Sequence, residues 1–299
     1  MNRSLLLVVC DFLLLSILAL ARFDIPEGAK IAKDGEKIVS QEVIERISDG
    51  ESYDDVVAEL EATNETLLEN LSSDKDDLLE IIDNVSSSGG FIMQKAVSDF
   101  EVELAKYADI NYSVGVGNAT DGMEIFLEAI GLKPGDEVII SSHTMLATAS
   151  AIRVAGGIPV PVDIGDDNLI SVSAIEEAIT NNTVGIMPTQ LNGRVCDMDP
   201  IIALANRHGL FIVEDAAQAL GSRYKGKHAG TFGMASDISF FPAKVLGCIG
   251  DAGAVLVNDR ALYHEIYQLH DHGRDTDGEV KRWGRNSRLD NIPVSYTHL

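Results

Sequence analysis

Residues 210–218 read LFIVEDAAQ, and the reading of this run decides the organisation of the chain. Leu210, Phe211, Ile212 and Val213 form a short apolar stretch rich in β-branched and aromatic side chains, as a buried strand requires. The acidic pair Glu214-Asp215 follows directly, and Ala216-Ala217 leave room for close approach of another group. Upstream, Pro200–His208 has helical patterning, so a helix feeds a strand whose carboxyl end is polar. That is one unit of an alternating α/β chain.

The same rhythm extends in both directions. Glu137–Ser141, Ile158–Asp163, Thr183–Pro188, Asp237–Phe241 and Ala254–Val257 read as strands. Asp121–Ile130 and Ser173–Thr180 read as helices, and Glu101–Tyr107 as the end of another. The expected fold is α/β, with a mainly parallel central sheet between two helical layers. In such sheets ligands bind at the carboxyl ends of the strands, where four groups of interest fall.

Gly117-Asn118-Ala119-Thr120-Asp121 is a small-residue turn opening a helix, suited to an anion and equally to an ordinary cap. In Glu214-Asp215-Ala216-Ala217-Gln218 an acidic residue at a strand's carboxyl end, followed by small residues, can hold the protonated nitrogen of a pyridine cofactor, though it equally serves as a helix cap. Ser239-Phe240-Phe241-Pro242-Ala243-Lys244 sets a hydroxyl and an amine after a strand, beside an apolar, glycine-rich stretch where desolvation would favour a Schiff base. Gly247–Gly253 is a flexible turn that lets the chain pass close to a ligand. Singly these are ambiguous; their order on successive strand ends matches the needs of one cofactor.

These stretches, with FIMQKAVSDFE, SSHTMLATASAIRVAGGIPVPVDI and WGRNSRLDNI, resemble the DegT/DnrJ-type nucleotide-sugar aminotransferases. That family is a branch of the fold-type-I enzymes dependent on pyridoxal 5'-phosphate (PLP). The resemblance implies a three-layer large domain in which Lys244 is the Schiff-base lysine and proton shuttle. It implies that Asp215 faces the ring nitrogen, that Gln218 lies beside the phenolic oxygen, and that Thr120 and Ser239, with the turn at Asn118 and Ala119, hold the phosphate. It places Asn286 where a neighbouring subunit contributes to the phosphate site, hence a homodimer. The implied reaction is transamination of a nucleotide-linked keto-sugar with an amino-acid donor such as glutamate, for surface polysaccharide. Relatives that dehydrate sugars carry histidine in place of Lys244, which favours transamination over dehydration. Met145 stands where the family stacks an aromatic ring, and a weaker hold on the cofactor follows. The family pattern continues beyond Arg288-Leu289-Asp290 with a small C-terminal domain, so the resemblance implies that this domain is missing. A truncated, non-catalytic binding module tethered to a membrane is the rival expectation.

The ends differ from the family. Residues 4–21, SLLLVVCDFLLLSILALA, are long and apolar enough to span a bilayer as a helix, with a cleaved signal as the alternative. The expected division is 1–22 for this anchor or signal-like segment, 23–73 for an acidic helical linker, 74–292 for an incomplete PLP-binding domain and 293–299 for a foreign-looking tail. The expected location is a cytoplasmic catalytic domain with possible membrane attachment through 4–21. A net charge of −24, from 47 acidic and 23 basic residues, argues against nucleic acid as a partner. Cys10, Cys196 and Cys248 form no disulfide or zinc pattern, and His143, His208, His228, His270 and His272 match no metal-ligand spacing. No metal is expected.

Overall fold

The strand that ends on Asp215 joins two half-sheets. In the computed structural model, which describes residues 79–291 together with Ala62 and Pro293, β5 (Phe211–Ile212) pairs with β4 (Thr183–Met187) on one side. Two residues further along the same stretch, β6 (Glu214–Asp215) pairs with β9 (Ala235–Ser239) on the other. The half-sheets have the orders β3-β2-β4-β5 and β1-β10-β9-β6, where β1 is Tyr112–Val116, β2 Glu137–Ser141, β3 Ile158–Val162 and β10 Gly253–Val257. Backbone bonds from Val213 N to Ile186 O (3.1 Å) and from Asp215 N to Pro188 O (3.0 Å) carry the ladder across the join. Strands β2 to β6 and β9 run parallel, whereas β10 lies antiparallel between β9 and β1. A small hairpin, β7 (Arg223–Tyr224) with β8 (Lys227–His228), projects after β6.

Helices cover both faces, as alternating apolar side chains on the strands require. On one face α2 (Ala119–Ala129), α3 (Leu146–Val154) and α6 (Arg260–His270) pack Phe126, Ile152 and Ile266 against Val213, Val255 and Val257. On the other, α1 (Lys95–Ala108) sets Phe100 and Leu104 against Ile238, Ala254 and Leu256. Beside it α4 (Val172–Ala178) and α5 (Met198–His208) set Ile175, Ile201 and Leu204 against Ile139, Ile186 and Ile212. All of these elements fall in the unit Asp76–Leu299.

The three-layer, mainly parallel expectation is met, with three corrections. The strand expected at Asp237–Phe241 lies at Ala235–Ser239. Met234 N bonds to Ile212 O at 2.7 Å, while Phe240 leaves the ladder to bond Ala252 and Cys248, and Phe241 is exposed. Glu214 and Asp215 lie within the sheet, not after it, because β6 pairs with β9. The last long strand is antiparallel, a matter of pairing that apolar content does not encode. The apolar run 4–21, the linker 23–73 and the tail lie outside the described residues, apart from Ala62 and Pro293. Among the described residues no helix is long and apolar enough to cross a membrane.

Candidate active site

A cleft of about 700 Å³ opens at the carboxyl ends of the parallel strands, and its walls carry Asn118, Ala119, Thr120, Met145, Asp215, Gln218, Ser239 and Lys244. Eight of the nine residues singled out from sequence therefore share one cavity. The ninth, Asn286, is not part of its lining; it bridges to Asp271 and its side-chain oxygen accepts from Arg288 Nε at 3.1 Å.

At one end of the cleft Asn118 caps α2, its side-chain oxygen accepting from Asp121 N at 2.8 Å. Thr120 is thus the second residue of the helix rather than its cap. The first turn of a helix directs amides without intrahelical acceptors outward, and here Ala119 and Thr120 of that turn line the cavity. Gly253 makes this arrangement possible: a Cβ there would lie 2.6 Å from Ala119 N and 2.7 Å from the carbonyl carbon of Asn118. Only a bare α-carbon lets β10 start against the turn. The run Gly247–Gly253 thus comes close to the turn before α2 through its last glycine.

Asp215 forms the floor and is 3% exposed. Its Oδ2 accepts from the Thr148 hydroxyl at 2.5 Å and its Oδ1 from Ala217 N at 3.2 Å. Thr144 adds a long contact of 3.5 Å to Oδ2 and shares its own hydroxyl with Thr148 (2.7 Å) and Thr189 (2.8 Å). Burial raises the Asp215 carboxyl above the usual carboxylate range, and the bond from Thr148, the amide of Ala217 and the Lys244 charge oppose it. A cation placed at the open side of this carboxylate would offset the cost of its burial.

Lys244 stands five residues past the end of β9, in a turn closed by its own amide on Phe241 O at 2.8 Å. The burial expected there is partial. Lys244 is half-buried, and Phe241, Pro242, Ala243 and Val245 around it are exposed. What faces the amine is the cleft and the Asp215 charge. Ser239, at the tip of β9, is buried and accepts from Phe241 N at 3.3 Å. Gln218 accepts from Asn192 N at 3.2 Å. Met145, 66% exposed, precedes α3 at the rim.

Sequence reading missed Thr144 and Thr148, which bond to Asp215, Thr189, which bonds to Thr144, and Asn192 and Gly193, which line the cleft. Thr189 was within reach of the strand-end argument, since it lies two residues beyond β4. Thr148 sits inside a helix that the apolar pattern did not mark. Among the described residues no group of three or more His, Cys, Asp or Glu is disposed to hold a metal ion.

The model of the DegT/DnrJ/EryC1/StrS aminotransferase family matches residues 72–296. The chain is 40% identical over 219 residues to a dTDP-3-amino-3,4,6-trideoxy-alpha-D-glucose transaminase of Streptomyces venezuelae, covering 73% of this chain and 58% of that one. It is similar to the crystal structure of S. venezuelae DesV, with a TM-score of 0.71 and 36% identity over 80% of this chain and 63% of that one. NtdA from Bacillus subtilis, solved with bound cofactor PMP, gives a TM-score of 0.70 and 34% identity over 75% of this chain and 52% of that one. The chain spans between 58% and 62% of the length of the first curated relatives it matches.

Proposed function

Since the chain belongs to the DegT/DnrJ/EryC1/StrS aminotransferase family, we propose that it binds PLP and transfers an amino group from an amino acid, glutamate foremost, to a nucleotide-linked keto-sugar. The observation that carries this reading is the convergence of Lys244, Asp215, Ser239 and the α2 N-terminus on one cleft. The residues fit the cofactor. A buried carboxylate with an open side suits a protonated ring nitrogen, and a helix start with a nearby hydroxyl suits a phosphate. Three relatives named as acting on dTDP-, UDP- and GDP-linked sugars support the substrate class without choosing among nucleotides.

Bound there, PLP supplies an electron sink that makes the α-proton of an amino acid removable. The protein does the rest. Lys244 would hold the cofactor through its side-chain amine and, with that amine free, would serve as the base that takes up and returns a proton at the substrate's α-carbon. Asp215, fixed by Thr148, would keep a proton on the ring nitrogen. Thr120, Ser239 and the start of α2 would hold the phosphate, with Gln218 placed for the phenolic oxygen and Met145 for the ring. Asn286 belongs to the phosphate site of a second subunit in a homodimer.

Reduction with borohydride after incubation with PLP, followed by peptide mass mapping, tests the assignment. A stable adduct on Lys244 is expected, none in Lys244→Ala, and stoichiometric keto acid from glutamate in a single half-reaction. Adduct without keto acid would favour a binding module, and no adduct at Lys244 would end the proposal.

A further inference from the structure

Asp237 stands in register with Asp215 on adjacent parallel strands, so both side chains leave the same face of the sheet. That face is the one packed by α2: Ala235, two residues before Asp237, belongs to the α2 cluster, and a Cβ on Gly122 would lie 3.8 Å from the Asp237 Cβ. Asp237 is 0% exposed, and neither carboxyl oxygen has a hydrogen-bond partner. It is not part of the cleft wall but lies beneath the floor that Asp215 forms. The mechanism above gives it no role. An ionised carboxylate in that position would face a second one with no hydrogen-bonded donor and only the amides of Asp237 and Ala216 nearby, an arrangement that proteins avoid by retaining a proton.

We propose that Asp215 and Asp237 form a coupled carboxyl pair that holds one proton at neutral pH, with the proton on Asp237. The relation of this pair to a ring nitrogen rests on the PLP reading; the pair itself does not. One proton leaves one negative charge, which a protonated ring nitrogen balances. A second negative charge would leave the buried group unbalanced. Asp237 is therefore a positioning residue, acting through Asp215. The ionisable groups facing it are Asp215 from β6 and Lys244 from the turn after β9. β10 presents Val255 and α2 presents Gly122, while Glu124 of α2 pairs with Arg285. Burial holds the Asp237 carboxyl well above its ordinary range and the Asp215 charge adds to this; the Lys244 charge and the amides of Asp237 and Ala216 oppose it.

The test compares infrared spectra of the cofactor-free full chain with those of Asp237→Asn and Asp215→Asn at neutral pH. One component of the protonated-carboxyl carbonyl band is expected to vanish in Asp237→Asn and to persist in Asp215→Asn. A second readout is the absorbance of bound PLP against pH, in which the wild-type alkaline step is expected to disappear in Asp237→Asn. If Asp237→Asn fails to fold by circular dichroism, Asp237→Thr supplies the same two comparisons. An unchanged carbonyl band in the variant overturns the pair. The infrared result with no PLP bound to the wild type would leave the pair standing and remove the PLP reading, so the two failures are distinct.

Discussion

The Thr148 hydroxyl reaches the Asp215 carboxylate at 2.5 Å from a neighbouring helix, so α3 fixes the orientation of a group that belongs to the sheet. Hydrogen bonds to a charged group contribute about 1.5–3 kcal/mol. Thr148→Val keeps the shape and removes this donor, which should raise the Asp215 pKa further. PLP affinity, followed by fluorescence quenching, is expected to fall about tenfold to a hundredfold, most at the acidic end of the range. Equal affinity in the two proteins would show that Asp215 does not depend on this bond.

Glu101 predicts a pH dependence of stability. Burial pushes its carboxyl up to about 7, although Gly115 N donates to its Oε1 at 2.7 Å. The folded chain thus retains a proton that the unfolded chain releases at the ordinary glutamate value. The stabilisation is fully present below the unfolded value and is lost as pH rises through the folded one, by at most a few kcal/mol. Glu101→Gln should flatten this part of the urea-midpoint profile between weakly acidic and neutral pH. A variant that follows the wild-type slope would count against it.

Glu214, beside Asp215 but on the opposite face, has a structural task. Its carboxylate accepts from the amides of Gly230 (2.8 Å), Phe232 (2.6 Å) and Gly233 (3.0 Å) and from Gln190 Nε2 (2.8 Å). Glu214→Ala would leave these buried donors unpaired at about 1–3 kcal/mol each. Loss of folded protein, seen by thermal melting, is expected. A Tm within a few degrees of wild type would contradict the assignment.

Gly253→Ala tests the close approach at the phosphate turn. A Cβ 2.6 Å from Ala119 N has no room, so either β10 or the turn must shift. Overpacking of this kind costs about 1–3 kcal/mol. The urea midpoint should drop and PLP affinity should fall with it, whereas retention of both would mean the turn yields freely.

The alternating architecture was legible because β2 and β4 are apolar runs bounded by turns, as strands buried on both faces must be, and the edge strand β3 carries the β-branched residues Ile158, Val160 and Val162. Asp215, Ser239 and Lys244 were legible because cofactor chemistry demands those groups at strand ends. β1 was not: Tyr112 to Val116 is anchored by pairing with Gly253 to Val257, and local periodicity carries no record of so distant a partner. β9 was displaced in the reading because its polar residues, Ser236, Asp237 and Ser239, looked less strand-like than the adjoining Phe240 and Phe241. Ser239 borders the cleft, whereas Ser236 and Asp237 are buried by packing within the fold, which no hydrophobic pattern announces. The same blindness hid Thr148 and Asp237.

The order in which the sheet closes has a consequence for synthesis. β1 emerges early from the ribosome, yet its strand neighbour among the described residues, β10, follows some 140 residues later, and β9 must already be seated beside β6. Such non-local pairing is slow to find. Until residue 257 is available the nascent chain has an unsealed border and no finished anion turn, because Gly253 is the piece that braces it. Acquisition of the vitamin B6 group is then a late event, and a ribosome stalled before β10 would release a polypeptide unable to retain it.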